Sequence, residues 1–243
     1  MRLANRTAVI TGGGSGIGAA IAHAFSAEGA RVLIAGRGEA RLKEAAAKGS
    51  GPHPISFQIS DVASRSDIEQ LFAAADRLLG RVDILVNSAG INVPRRALSE
   101  ISPEDWQQIL DVNATGTFLC VRAVLPQMRA RRDGLIVNIS SVAGIRASLL
   151  GGAAYTASKF AASGFGLVAG LEEKDHGVRV TNIYPGEVET PILDQRPVPV
   201  TAEHRARILQ PEDVAAAVLM VALLPPRAHV PELTIKPTTQ AFA

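Results

Sequence analysis

Short runs rich in Val and Ile alternate along the chain with longer Ala-rich stretches whose apolar positions recur at helical spacing. The runs TAVIT, RVLIA, ISFQI, DILVN, LIVNIS, VRVTNI and ELTI read as strands. Helices are predicted after the first six, over 16–28, 39–48, 65–79, 103–130, 153–175 and, following a gap, 211–223. Such alternation builds right-handed crossovers, hence a parallel sheet with helices on both faces. Ligands of these sheets sit beyond the carboxyl ends of the strands, where most of the unusual residue types of this chain fall.

The length of 243 residues suits one α/β domain, and no linker-like stretch divides it. Residues 187–210, proline-rich and then charged, are the one long segment without a regular pattern between two elements, as a lid over a site would be. With hydrophobic residues at 47% and aromatics at 4%, the core is built from Ala, Val, Ile and Leu. Charge narrows the partners. Lys and Arg total 25 against 23 Asp and Glu, without a basic stripe interleaved with aromatics, so nucleic acid is not expected as a partner. Cys120 is the single cysteine, which excludes an intrachain disulfide and fits a reducing compartment. No apolar leader precedes the first strand, and the run at 214–224 is too short to cross a bilayer, so a cytoplasmic protein without a membrane partner is expected. Histidines 23, 53, 176, 204 and 229 lack ligand spacing, so no metal centre is expected.

TGGGSGIG, residues 11–18, links the first strand to the first helix. In that context glycines let backbone N–H groups approach a diphosphate at a helix N-terminus. Gly12, Gly16 and Gly18 are the key set, with Gly14, Ser15 and Ile17 alongside. The second strand ends at Gly36 and Arg37, where a carboxylate would grip a ribose 2′-hydroxyl. An arginine there suits a 2′-phosphate instead, favouring NADP(H); Glu39 nearby is a possible complication. Asp61 and Val62 follow the third strand and could hold the adenine, while Asn87, Ala89 and Gly90 follow the fourth, where small residues would let a cofactor pass close to the backbone.

AAYTASKF, residues 153–160, places Tyr155 and Lys159 one helical turn apart on one face. A phenol ordinarily ionises near pH 10, and a neighbouring ammonium is expected to lower that value and make Tyr155 a usable acid or base. An isolated Tyr-x-x-x-Lys is also simply an aromatic beside a snorkelling lysine. The fifth strand ends at Ser140 and Ser141, where a hydroxyl could hold a carbonyl oxygen, and Asn113 on the preceding helix could anchor a relay water.

Taken in order, TGGGSGIG, DV, NSAG, NATG, SS, YTASK and YPGEVET resemble the short-chain dehydrogenase/reductase family over almost the whole chain. That resemblance implies a single Rossmann-like domain with a seven-stranded sheet, hydride transfer between NAD(P)(H) and a carbonyl or alcohol, and a homotetramer or dimer. It places the catalytic residues at Asn113, Ser141, Tyr155 and Lys159. Lys159 would also bind the nicotinamide ribose, and Pro185, Gly186, Val188 and Thr190 would hold the carboxamide. By the same resemblance, Arg37 marks an NADP-preferring type. The loop from Ser141 to Tyr155 is one residue longer than is usual in the family, so Ser140 stays open as the working serine. The alternative to an enzyme is a dinucleotide-binding regulator or scaffold without turnover. For the substrate two readings stand: Arg95, Arg96, Arg196, His204, Arg205 and Arg207 allow an anion, whereas Ile91, Val93, Leu149, Leu150, Ile192 and Leu193 suit a hydrophobic carbonyl.

Overall fold

The computed structural model describes residues 1–241. Its elements run in the order β1 (Thr7–Thr11), α1 (Gly16–Ala27), β2 (Arg31–Gly36), α2 (Glu39–Ala47), β3 (Ser56–Ile59), α3 (Arg65–Leu79), β4 (Ile84–Asn87), α4 (Pro103–Leu110), α5 (Gly116–Arg131), β5 (Gly134–Ile139), α6 (Ala153–Glu173), β6 (Val178–Pro185), α7 (Ala202–Arg205), α8 (Pro211–Ala222) and β7 (Glu232–Ile235). All seven strands are parallel in one Rossmann-like sheet of order β3-β2-β1-β4-β5-β6-β7.

The strand pleat sends neighbouring side chains to opposite faces, and both faces are dry. Val9, Leu33, Leu85, Ile136 and Val180 pack beneath α3 and α5, while Ile10, Ile34, Val86, Val137 and Ile183 pack beneath α1 and α8. Local chemistry sets the helix ends. Ser64 and Ser102 cap α3 and α4 by accepting from Asp67 N and Asp105 N, and Gly80 closes α3 in the left-handed region at φ 80°.

Two features differ from the expected pattern. The helix predicted over 103–130 is interrupted by one π-helical turn, Asp111–Thr115, that carries Asn113 into the site. Together Pro103–Arg131 form a 29-residue stretch apolar enough by length and composition to cross a bilayer, yet α5 packs Val121, Val124 and Met128 into the sheet core. The segment 187–210 is also more ordered than expected. It carries a 3₁₀ turn at Pro191–Gln195 and α7, and Val188 pairs with Leu209 to close it on itself.

Candidate active site

The turn after β1 begins with Gly12 at φ +66° and reaches Gly16 at φ +50°, both in the region that favours glycine. A Cβ on Gly18 would lie 2.4 Å from the Gly12 carbonyl oxygen, so the helix starts there only because Gly18 lacks one. Two adjoining cavities run along the carboxyl edge of the sheet from this turn. One, about 480 Å³, is lined by Gly12, Gly14, Ser15, Arg37, Asp61, Val62, Ala89 and Gly90. The other, about 470 Å³, continues past Gly12, Ser15, Gly16, Ile17, Gly18, Arg37 and Thr190 to Tyr155 and Lys159. The buried Ser60 hydroxyl, on the wall of the first cavity, has no hydrogen-bond partner among the described residues. A long cleft with a glycine turn at its middle, a cation at one end and an unmatched hydroxyl fits a dinucleotide.

Asn87 sits below this cleft. Its amide donates to Asn138 Oδ1 at 2.9 Å, Asn138 donates to Asn182 Oδ1 at 3.1 Å, and Asn182 donates to the Ser163 carbonyl at 2.9 Å. The ladder ties β4, β5 and β6 to α6, the helix bearing Tyr155 and Lys159.

The two serines have different partners. Buried Ser140 shares its hydroxyl with the Lys159 carbonyl (3.2 Å) and Ser163 Oγ (2.9 Å), locking the first half of α6 to β5, and it also borders the long cleft and the smaller cavity beside it. Ser141 is hydrogen bonded to Tyr155, and both border a third cavity of about 160 Å³. Pro185, Gly186 and Val188 line this cavity too, and Thr190 borders it and the long cleft. Asn113 directs its side chain to the backbone N–H and carbonyl of Ile91 and to Ser158 Oγ, and its own carbonyl accepts from Thr117 Oγ1 at 3.0 Å.

The electrostatics differ from expectation at Tyr155. Burial raises its pKa, and the Ser141 hydrogen bond and the Arg96 charge only partly oppose the rise. The lowering expected from Lys159 is not seen; that lysine is itself buried, which pushes it down to about 8. Lys159 Nζ lies 5.7 Å from the Tyr155 ring centroid and donates to the Ile139 carbonyl at 2.9 Å.

Comparison with known proteins places this geometry. A short chain dehydrogenase family model matches residues 6–198. The chain belongs to the short-chain dehydrogenase family. An uncharacterized oxidoreductase of Staphylococcus saprophyticus is 35% identical over 98% of this chain and 99% of its own. A serine dehydrogenase in closed form with NADP+ superposes with a TM-score of 0.89 at 32% identity, over 98% of this chain and 97% of its own. A 3-ketoacyl-(acyl-carrier-protein) reductase of Brucella melitensis, complexed with NADH, gives a TM-score of 0.87 at 27% identity, over 96% and 98%. Both nicotinamide cofactors thus occur among structural neighbours of this short-chain dehydrogenase.

Two residues of this family member gain weight only in three dimensions. Arg41, in the first turn of α2, lines both parts of the long cleft beside Arg37, while Glu39, which also borders the first cavity, is ion-paired with Lys43 at 2.7 Å. Arg96 is 7% exposed and faces the 160 Å³ cavity with Tyr155. The expected apolar lining divides: Leu150, Ile192 and Leu193 reach that cavity, Ile91 and Val93 line the long cleft, and Leu149 is wholly exposed.

Proposed function

We propose that the protein is an NADP(H)-dependent oxidoreductase that interconverts a carbonyl and a secondary alcohol. The observation that carries this reading is the meeting of the Ser141 and Tyr155 hydroxyls on a small cavity that opens where the dinucleotide-shaped cleft ends. Dehydrogenases and reductases among the structural neighbours support the redox chemistry. When bound, the nicotinamide supplies or accepts the hydride. Arg37 and Arg41 hold the 2′-phosphate, Asp61 and Val62 the adenine end, and Val188 and Thr190 the carboxamide end. Ser141 donates a hydrogen bond to the substrate oxygen and orients it. In the reductive direction Tyr155 gives its phenolic proton to that oxygen as negative charge builds there. Lys159 holds the ribose and, with Asn113 fixing the π turn, returns a proton toward Tyr155.

The segment 187–210 acts as the lid, held by Arg196 and His204 on Glu187, each at 2.8 Å. Exposed Phe118, Phe160, Val168 and Leu171 on α5 and α6 support a homo-oligomer. The test is a panel of ketones and alcohols with purified protein, followed at the reduced-nicotinamide absorbance. Tyr155→Phe is expected to lower kcat by about a thousandfold, since a positioned proton donor is worth roughly 10²–10⁴. Tight NADPH binding without turnover across the panel would favour a regulator instead, and normal turnover by Tyr155→Phe would overturn the mechanism.

A further inference from the structure

We propose that the substrate of this site carries a carboxylate, and that Arg96 is the residue that selects it. The inference rests on the oxidoreductase reading above and names its substrate class: a hydroxy acid or oxo acid of three to five carbons.

The lid's cations are already matched. Arg196 pairs with Glu187, Arg205 with Glu189 and Asp194, and Arg207 with Glu203. Arg95 is exposed. Of these candidate anion-binding cations, Arg96 alone combines burial with the lack of an ion-pair partner among the described residues. Its Nε donates to the Val93 carbonyl at 2.8 Å, Nη1 to the Leu150 carbonyl at 3.1 Å, and Nη2 to the Gln195 carbonyl. A guanidinium has five N–H donors, so one remains on each Nη, the pair of atoms that grips a carboxylate through two parallel bonds. A buried charge without a counter-charge is costly, and an anion in the cavity would relieve that cost. The carboxylate on the same wall, Glu187, is shared between Arg196 and His204 and does not serve Arg96.

Position and size agree. Arg96 is close enough to Tyr155 to act on its ionisation, so a molecule anchored on the guanidinium can present its oxygen to the phenol. The cavity of about 160 Å³ matches one that holds benzene, roughly 150 Å³, and so takes about six to eight non-hydrogen atoms. Three loops fix the guanidinium beforehand, and Gly152 at φ +77° permits the closest of them: a Cβ there would lie 2.6 Å from the Arg96 carbonyl oxygen. In the reaction the carboxylate is unchanged. Oxidation removes a hydride from the carbinol carbon to NADP+ and a proton from its oxygen to Tyr155, and reduction reverses both transfers.

The experiment compares 2- and 3-hydroxy acids of three to five carbons with their methyl esters, using wild type, Arg96→Gln and Arg96→Lys. In wild type, kcat/KM for the preferred acid is expected to exceed that for its ester at least tenfold. In Arg96→Gln that ratio should fall roughly 10- to 100-fold, mostly through KM, as loss of a charge-assisted hydrogen bond predicts, with Arg96→Lys intermediate. A second readout needs no turnover: butyrate, but not methyl butyrate, should raise the Tm of the NADP+-loaded wild type and leave that of Arg96→Gln unmoved. Equal use of acids and esters by wild type, or no Tm shift with butyrate, overturns the inference while leaving the oxidoreductase reading intact. Absence of all turnover with a butyrate shift that depends on Arg96 would do the reverse.

Discussion

Replacing Lys159 by Met should change the pH dependence of stability in a direction fixed by burial. Lys159 is 5% exposed, and desolvation lowers its pKa from 10.5 to about 8. The folded chain therefore releases this proton at lower pH than the unfolded chain does. That difference, worth about 3 kcal/mol at 1.36 kcal/mol per unit, opposes folding fully below pH 8. It fades as pH rises from 8 to 10.5, where the unfolded chain binds more protons than the folded one. Between pH 7 and 9.5 wild type should gain about 2 kcal/mol from this group alone. Met fills similar space without a charge and cannot gain it. Removing the ammonium also orphans the Ile139 carbonyl, at a cost of about 1–3 kcal/mol, but that cost is the same at both pH values and cancels. Urea unfolding of both proteins without nucleotide measures the effect, with comparable m-values as the control. The stability difference should shift by about 2 kcal/mol in favour of wild type at the higher pH. Parallel pH profiles would show that Lys159 is solvated in the folded protein and that the desolvation argument is wrong.

Other expectations are simpler to read. Arg37→Asp should lower the NADPH-over-NADH ratio of kcat/KM by at least tenfold, and an unchanged ratio would remove Arg37 from the phosphate site. Because burial raises the Tyr155 phenol, it stays protonated at neutral pH. The kcat/KM for reduction should then be flat through neutrality and fall only in alkali, while that for oxidation, which needs the phenolate, should climb with pH; the opposite slopes would reject Tyr155 as the proton donor. Cys120 is fully buried, with its thiol pushed up to about 12, so a disulfide reagent such as Ellman's should label it only in denaturant. Rapid labelling of the native protein would contradict the packing of α5.

The strands were legible because a parallel sheet buried on both faces needs short Val- and Ile-rich runs, and seven such runs became seven strands. Helix ends were legible where a cap or turn residue stands, as at Ser64 and Gly80. The π turn was not, since DVNAT contains neither Gly nor Pro and every residue in it tolerates an ordinary helix. Paired glycines, Arg37 and the Tyr–Lys spacing marked the cleft, but Arg41 did not stand out because an arginine inside a polar helix carries no signal of what it faces. Arg96 was one charge among six for the same reason. Its burial comes from Val93 in its own loop and from Leu150 and Gln195, which lie far away in the sequence.

The proposed choice of Ser141 over Ser140 rests on how the two hydroxyls are already engaged. Ser140 also borders the cavity, but its hydroxyl is engaged by Ser163 and the Lys159 carbonyl, so it cannot serve a substrate without giving up those bonds. Ser141 borders the same cavity, and its hydroxyl caps the turn at Val142–Gly144 by accepting from Ala143 N at 3.1 Å. The resemblance puts the extra residue in the loop 146–152, where most residues are exposed. The asparagine ladder then sets the remaining distance: Asn182 grips Ser163, Ser163 grips the Lys159 carbonyl at 2.8 Å, and α6 is held at one register against the strand that delivers Ser141. A loop can lengthen by one residue without disturbing the meeting of Ser141 and Tyr155, because buried polar bonds between sheet and helix, not the loop, fix their separation.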